Sequence, residues 1–226
     1  MFYYDSTYLI LIPAIIISLW AQTKVNSTFN KYVKVASYRG YNGAEVARII
    51  LDSNGLNYIP IEVTQGKLSD HYDPSKKVLR LSQDVYYGTS VASIGVAAHE
   101  VGHAIQHKNA YGPLKLRSAA VPMANIGSNF SWILFFLGLV LGIQPLVSAG
   151  ILLFAAVVIF QLITLPVEFD ASARALKEIK DRDILYGDEV VGAKKVLDAA
   201  AMTYVAAALM AISQLLRLII ISRRDD

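Results

Sequence analysis

Two histidines and a glutamate stand together in residues 96–106, in the order His99-Glu100-x-x-His103. The segment consists mainly of apolar and small residues and contains no proline, which predicts an α-helix. Residues four apart in a helix lie on one face, so both imidazoles can bind a single Zn²⁺ ion. Glu100 is rotated by ~100° from His99, where it can reach a metal-bound water without replacing a ligand. The spacing therefore predicts a catalytic zinc site.

The alternative is a pair of histidines that only hydrogen-bond to each other within a core. Two features favour the metal site. The motif stands in an apolar helix, where two imidazoles and a carboxylate are costly to bury unless something satisfies them. Gly102 also removes a side chain at a point where another element can approach the ligands closely.

The composition is that of a membrane protein. Of 226 residues, 54% are hydrophobic and 17% are charged, against roughly 25% charged in soluble domains. The chain has no cysteine, so the metal ligands must be histidines and carboxylates. The net charge of +3 is small and scattered, which gives no support for nucleic acid as a partner. We predict one catalytic Zn²⁺ as the cofactor. The predicted partners are a peptide or protein substrate and a lipid bilayer.

Three apolar stretches predict membrane spans. Residues 9–21, with the aromatic residues that precede them, are long enough for a retained anchor; those aromatics are Phe2, Tyr3, Tyr4 and Tyr8. A signal peptide is disfavoured because a basic start and a small-x-small cleavage site are both missing. Two further spans are predicted at 125–143 and 147–165, joined by a kink at Gln144-Pro145. Nothing charged lies in that pair, which disfavours a transporter.

The last apolar stretch, residues 199–221, has two readings. It is either a fourth span or a helix packed against the others with Arg217 reaching the interface; we favour the span. Lysines and arginines concentrate in the connections after residue 21, before residue 118 and after residue 167. By the positive-inside rule the region between the first two spans faces the cytoplasm. Arg223 and Arg224 disagree with that rule if there are four spans.

The polar region carries the remaining elements of the predicted site. Asn42 is the expected N-cap of a helix through residue 52, and Ser90 or Thr89 can cap the histidine helix. Residues 58–63 and 78–81 are expected to form short strands. In zinc peptidases generally, a strand beside this helix offers its free edge to an extended substrate. We expect residues 78–82 to be that edge strand, with an inner strand as the alternative.

We therefore predict a mainly α multi-pass membrane protein with a small zincin-like α+β catalytic region, formed by the HExxH helix and short strands. The predicted divisions are an anchor at 1–21, a cytoplasmic catalytic region at 22–117, a transmembrane helical pair at 118–167, a third-ligand helix and surface turn at 168–198, and an apolar, membrane-spanning helix with its tail at 199–226.

A catalytic zinc needs three protein ligands and an open position for water. His107 lies ~12 Å along the helix from His99, out of reach of the same ion. The residues leave three candidates open for the third ligand: His71, Glu168 and Asp170. Pro166 can begin a helix just before Glu168.

Asp170 has a structural alternative, because Arg174 follows it at the spacing of an ordinary helix ion pair. Ala171 and Ala175 share one face of the expected helix and permit close packing on Gly102.

Several segments together resemble the YugP family of membrane neutral zinc metallopeptidases, over nearly the whole chain. They are the N-terminal anchor and residues 42–48, 68–74, 96–106 and 168–172. The chain is more distantly similar to the HtpX-like and Ste24-like membrane peptidases, in which a glutamate after a transmembrane pair completes the zinc site. That resemblance implies Glu168 as the third ligand. Their pattern continues Glu-x-x-Ala-Asp, whereas this chain has Ala171 followed by Ser172, so the usual supporting aspartate is missing at that place. Whether Asp170 substitutes for it stays open at this point.

The expected activity is hydrolysis of peptide bonds at the cytoplasmic face of the cell membrane. Glu100 is the expected general base, and His71 and Tyr72 are the candidates for stabilising the oxyanion. A loop turn held by its aspartates is the alternative role for Tyr72. The alternative function is a membrane scaffold or adaptor that keeps zinc only for folding, which would close the ion with four protein ligands.

Overall fold

The computed structural model describes residues 6–66 and 68–223. It is mostly helical with one small sheet, as the sequence predicted. In chain order the elements are a 3-10 turn Ser6–Leu11, α1 Ile12–Tyr32, α2 Gly43–Ser53, β1 Ile61–Thr64, β2 His71–Asp73, β3 Val78–Ser82, α3 Gln83–Tyr86, α4 Val91–Lys108, α5 Gly112–Leu141, α6 Gln144–Asp181 and α7 Asp188–Ser222. Four residues of the predicted anchor and tail lie outside the described part: Phe2, Tyr3, Tyr4 and Arg224.

Four helices of the described chain are long and apolar enough to cross a membrane. They are Thr7–Tyr32, Gly112–Leu141, Gln144–Asp181 and Asp188–Ser222, and an 18-residue window in each has a mean hydropathy of 1.6, 1.6, 2.6 and 2.0, respectively. The chain also divides into two compact units. One comprises Met1–Gln22, Lys115–Pro166 and Met202–Asp226; the other comprises Thr23–Leu114 and Val167–Ala201.

Within the first unit, α5 and α6 pack with their backbones in contact. A Cβ atom on Gly138 would lie 2.6 Å from the Val147 nitrogen, and one on Gly150 would lie 2.7 Å from the Ser131 carbonyl oxygen. Small residues at such crossings are typical of membrane helices, whose association depends on close packing. These glycines therefore fix how the two helices approach.

The turn between α5 and α6 corrects the predicted kink at Gln144-Pro145. The turn lies at residues 142–143, where Gly142 has a φ of +67°. Gln144 and Pro145 instead open α6, because a proline in the first helical turn loses no intrahelical bond.

Pro166 was predicted to begin a helix, and this was wrong. α6 begins at Gln144 and contains Pro166 in its interior. The proline removes one N–H from the ladder, a loss that apolar helices tolerate when other groups satisfy the freed carbonyls.

Within the second unit, the sheet has the order β1-β3-β2. β1 pairs with β3 in parallel and β2 pairs with it antiparallel. The prediction that residues 78–82 form a free edge was therefore wrong, because β3 is the inner strand. Leu79 and Leu81 are fully buried, and such apolar side chains favour the centre of a sheet over its edge. The predicted strand at 58–63 begins only at Ile61.

α2 begins as predicted. The Asn42 side chain accepts the Glu45 N–H at 2.9 Å, and the Glu45 carboxylate accepts the Asn42 N–H at 2.8 Å. This reciprocal capping box satisfies two N–H groups that the helix cannot bond itself. Val46, Ile50 and Leu51 then turn inward and join the hydrophobic core of the unit, which also contains the apolar residues of α4.

Candidate metal centre

α4 supplies the two histidines from a helix whose start and packing are both well defined. Ser90 is its N-cap and accepts the Ser93 N–H at 3.1 Å, which confirms one of the two predicted caps. Most residues from Val91 to Gln106 are buried. His99 and His103 project from the same face, and their ring centroids lie 4.8 Å apart in an edge-on arrangement.

α6 approaches α4 very closely at Gly102. A Cβ atom built there would lie 2.5 Å from the Ala171 carbonyl oxygen and 3.2 Å from its Cα. Only glycine fits at this distance, which bears out the close packing expected from Ala171. The contact brings the α6 segment that carries Glu168 alongside the two histidines.

His99, His103 and Glu168 form the group that could hold a metal ion, with ligand atoms all within 4.8 Å of one another. The Glu168 Oε2 atom lies 3.3 Å from His99 Nε2 and 3.5 Å from His103 Nε2. Glu168 is only 2% exposed. Among the described residues, the group includes neither His71 nor Asp170.

The atoms of this group suit zinc. Two imidazole nitrogens and one carboxylate oxygen are a usual catalytic set, and ligands at 2.0–2.1 Å from a tetrahedral ion lie about 3.3 Å from each other. The separations of 3.3 and 3.5 Å between Glu168 Oε2 and the two imidazole nitrogens match that spacing.

The field at this group favours a cation. Burial lowers the pKa of His103, but the hydrogen bond to Glu168 and the charges of Glu100 and Glu168 outweigh it, so that the pKa is raised. The same negative charges would favour a metal ion, which binds an imidazole nitrogen that carries no proton.

The other nitrogen of each imidazole has a protein partner. His99 Nδ1 lies 3.1 Å from the Ser172 hydroxyl, and His103 Nδ1 lies 3.0 Å from Gln106 Oε1. Ser172 is therefore the partner of His99 on this side of the ring. The contact of Gln106 was missed from the sequence, although a glutamine three residues after His103 in an apolar helix was a usable signal.

Asp170 turns away from the metal group. It accepts a 2.6 Å bond from Arg174 Nε and a 2.8 Å bond from Gln106 Nε2. The ion pair with Arg174 is the structural alternative that helix spacing indicated for this residue.

Glu100 is half-buried beside the group, and its carboxylate contacts the sheet. Its Oε2 accepts the Tyr72 backbone N–H at 3.2 Å. This N–H therefore points away from β3 and forms no hydrogen bond to it. In the antiparallel pairing of β2 with β3, Tyr72 and Leu79 face each other as a pair without mutual hydrogen bonds. β2, which the sequence did not predict, is thus the edge strand that lies beside the predicted base.

The side chains of Tyr72 and His71 lie in different surroundings. The Tyr72 hydroxyl lies 2.9 Å from His107 Nδ1, and burial raises the pKa of this hydroxyl to about 12, so it stays protonated at neutral pH. His71 is exposed; its Nδ1 lies 2.8 Å from the Ser69 carbonyl oxygen and its Nε2 lies 3.5 Å from Arg80 Nη1. The structure does not bring His71 into the metal group.

Asp70 fixes the chain just before β2. Its carboxylate accepts the Ser82 N–H at 2.7 Å and the Ser82 hydroxyl at 3.1 Å. Burial raises the pKa of Asp70, while the bonds from Ser82 oppose that rise. These bonds from Ser82 to Asp70 hold the start of β2 against the end of β3, which keeps Tyr72 close to Glu100.

Comparison with known proteins gives two matches and one absence. A family model described as "Putative neutral zinc metallopeptidase" matches residues 7–223. The chain is 51% identical over 217 residues to the "Putative membrane protease YugP" of Bacillus subtilis (strain 168), which covers 95% of this chain and 96% of that protein. No solved structure matches.

Proposed function

Because the chain belongs to this family of neutral zinc metallopeptidases, we propose that it hydrolyses peptide bonds with one zinc ion bound by His99, His103 and Glu168. The observation that carries the proposal is the convergence of these three side chains from α4 and α6, with Glu100 beside them. The ligand set of two histidines and a glutamate makes the proposed enzyme gluzincin-like.

The proposed reaction divides its work between the ion and Glu100. When bound, zinc supplies a Lewis acid that activates water at neutral pH and polarises the carbonyl group of the substrate. Glu100 accepts the proton of the attacking water on its carboxylate and passes it to the leaving amine. The Tyr72 N–H orients that carboxylate through its 3.2 Å bond.

We further propose β2 as the strand that binds the substrate, in place of β3. β2 pairs with β3 on one side only, and an extended peptide can add to such an edge through backbone hydrogen bonds. Because the Tyr72 N–H on that side is bonded to Glu100, the Tyr72 carbonyl, which points the same way, is the group that would accept from the peptide. Tyr72 and His71 remain the candidates for stabilising the oxyanion. For either side chain, this role requires release from its present bond, to His107 or to Ser69.

The scaffold alternative requires a closed metal site. Structural zinc sites have four protein ligands, whereas the group in the described chain has three candidate ligands. An open fourth position and the adjacent carboxylate of Glu100 favour catalysis over a purely structural role.

Metal removal tests the proposal directly. We expect the purified protein in detergent to contain about one zinc per chain and to hydrolyse casein, since one set of three ligands suits one ion. Treatment with 1,10-phenanthroline should abolish hydrolysis, and added Zn²⁺ should restore it. Metal analysis and release of labelled casein peptides measure both effects.

The variants Glu168→Ala and His71→Ala are a matched pair for this experiment. Glu168→Ala removes a predicted ligand and should lose bound zinc, whereas His71→Ala should retain it because His71 lies outside the group. Hydrolysis that is insensitive to the chelator in the parent protein would overturn the proposed function. Zinc bound to the parent protein without any hydrolysis of casein would favour the scaffold.

The catalytic region is proposed to face the cytoplasm, from the distribution of lysine and arginine around the spans. The absence of cysteine allows a clean test with single cysteines. Tyr38→Cys places a thiol at a position that is 89% exposed, and Ile143→Cys places one in the turn between α5 and α6. A membrane-impermeant maleimide should label the second in intact cells, and the first only after permeabilisation; the reverse pattern would overturn the orientation.

A further inference from the structure

Gln106 is a fully buried amide in the apolar interior of α4, at 0% exposure. An amide in such a place is costly unless its polar atoms are bonded. Its Oε1 lies 3.0 Å from His103 Nδ1, and its Nε2 donates to the Val167 carbonyl and to Asp170 Oδ2, both at 2.8 Å. Each heavy polar atom of the side chain is therefore in use.

These contacts determine which proton the imidazole carries. The two partners of Nε2 are both acceptors, so the NH₂ group must face them and the carbonyl oxygen must face His103. A carbonyl oxygen only accepts hydrogen bonds, so His103 Nδ1 carries the hydrogen. Its Nε2, which lies 3.5 Å from Glu168 Oε2, is then the nitrogen that faces the group and would bind the ion.

The same side chain also holds the segment that carries the glutamate. Val167 and Asp170 lie on either side of Glu168 in the sequence, and both bond to Gln106. Asp170 is held in turn by Arg174 at 2.6 Å. Ser172 does not select a proton form of His99 in this way, because a hydroxyl can either donate to His99 Nδ1 or accept from it.

We propose that Gln106 is a positioning residue for the metal site, which selects the Nδ1–H form of His103 and fixes Glu168 opposite it. This inference rests on the proposed zinc site. It adds a residue outside the His-Glu-x-x-His pattern that preorganises two of the three ligands. Partners that orient ligating histidines typically contribute 10–100-fold to metal affinity.

The test compares Gln106→Met, which keeps the length of the side chain but loses its bonds, with Gln83→Met at an exposed helical position. Zinc affinity is measured by competition with a chelating dye. The form of His103 is measured by ¹⁵N NMR of histidine-labelled, metal-free protein. We expect Gln106→Met to weaken zinc binding about 10–100-fold and to lose the Nδ1–H signal, whereas Gln83→Met changes neither.

If Gln106→Met does not fold, a second pair of variants exchanges the hydrogen-bond donor and acceptor between residues 106 and 170. Gln106→Glu alone places a carboxylate against Asp170 and should weaken zinc binding. Adding Asp170→Asn supplies a donor in return and should restore part of the affinity. An unchanged affinity or an unchanged Nδ1–H signal in Gln106→Met, or no recovery in the double variant, would overturn the role of Gln106. A parent protein that binds no zinc would overturn the proposed function, while the NMR measurement still decides what Gln106 does to His103.

Discussion

Replacing Glu100 by glutamine is expected to lower kcat for peptide hydrolysis by about 10²–10⁴-fold, the usual contribution of a general base, while bound zinc is retained. The substitution keeps the size of the side chain and its ability to accept the Tyr72 N–H, but an amide cannot take a proton from water. Because Glu100 is not one of the three candidate ligands, the metal site should remain occupied. Parallel zinc analysis and casein hydrolysis measure the two properties.

Glu62→Gln is the matched control for this substitution. Glu62 is exposed and forms an ion pair with Arg80 at 3.1 Å on the sheet, and such surface pairs contribute little to stability. Its hydrolysis rate should equal that of the parent. Equal rates in Glu100→Gln and the parent would contradict the proposed mechanism. Loss of zinc in Glu100→Gln would indicate that Glu100 is a metal ligand and not the general base.

The local part of the site could be predicted from the sequence. Helix geometry alone places His99 and His103 on one face, and the small residues around them indicated that another helix packs there. Glu168 is 65 residues further along the chain than His103, and no local rule sets that distance. Helix spacing left Glu168, Asp170 and His71 open; the resemblance to a family implied Glu168, and the Gly102–Ala171 contact shows how it reaches the histidines.

The sheet shows where the sequence was insufficient. β2 has only three residues, too few for an alternating pattern to be recognised. Without it, β3 was taken for the edge. The register is decided by tertiary bonds, since Asp70 reaches across to Ser82 and the Tyr72 N–H reaches Glu100. Strand order was therefore not available from local propensity.

Proline gave opposite outcomes at two positions for the same physical reason. Pro145 lies in the first turn of α6, where its lack of an N–H costs nothing. Pro166 lies inside the same helix, where flanking apolar residues continue the helical pattern on both sides. The sequence suggested a helix boundary at each proline. Whether a proline opens a helix or interrupts one depends on how many helical residues precede it, and the sequence alone did not give that number.

Gly102→Ala is expected to damage the site more than any other single-methyl change on α4. The added Cβ would lie 2.5 Å from the Ala171 carbonyl oxygen. That oxygen belongs to the backbone of α6 and the Cβ is attached directly to the backbone of α4, so neither atom can rotate away. Relief requires the α6 segment with Glu168 to move away from the histidines by close to an ångström. We expect a loss of about 1–3 kcal/mol in unfolding free energy, as for other overpacked sites, and a fall of about 10²-fold in kcat/KM from the misplaced ligand.

Gly95→Ala is the control on the same helix, two turns earlier. A Cβ atom there would lie 3.6 Å from the Ala193 Cβ, which is ordinary van der Waals contact, and alanine favours a helix over glycine by up to about 1 kcal/mol. This variant should therefore keep or gain thermal stability and keep its zinc affinity. Since both changes add one methyl group to one helix, a shared loss would mean that α4 tolerates no added volume. A loss confined to Gly102→Ala would trace the effect to the distance between the histidines and Glu168, and unchanged zinc affinity in that variant would contradict Glu168 as a ligand held by this contact.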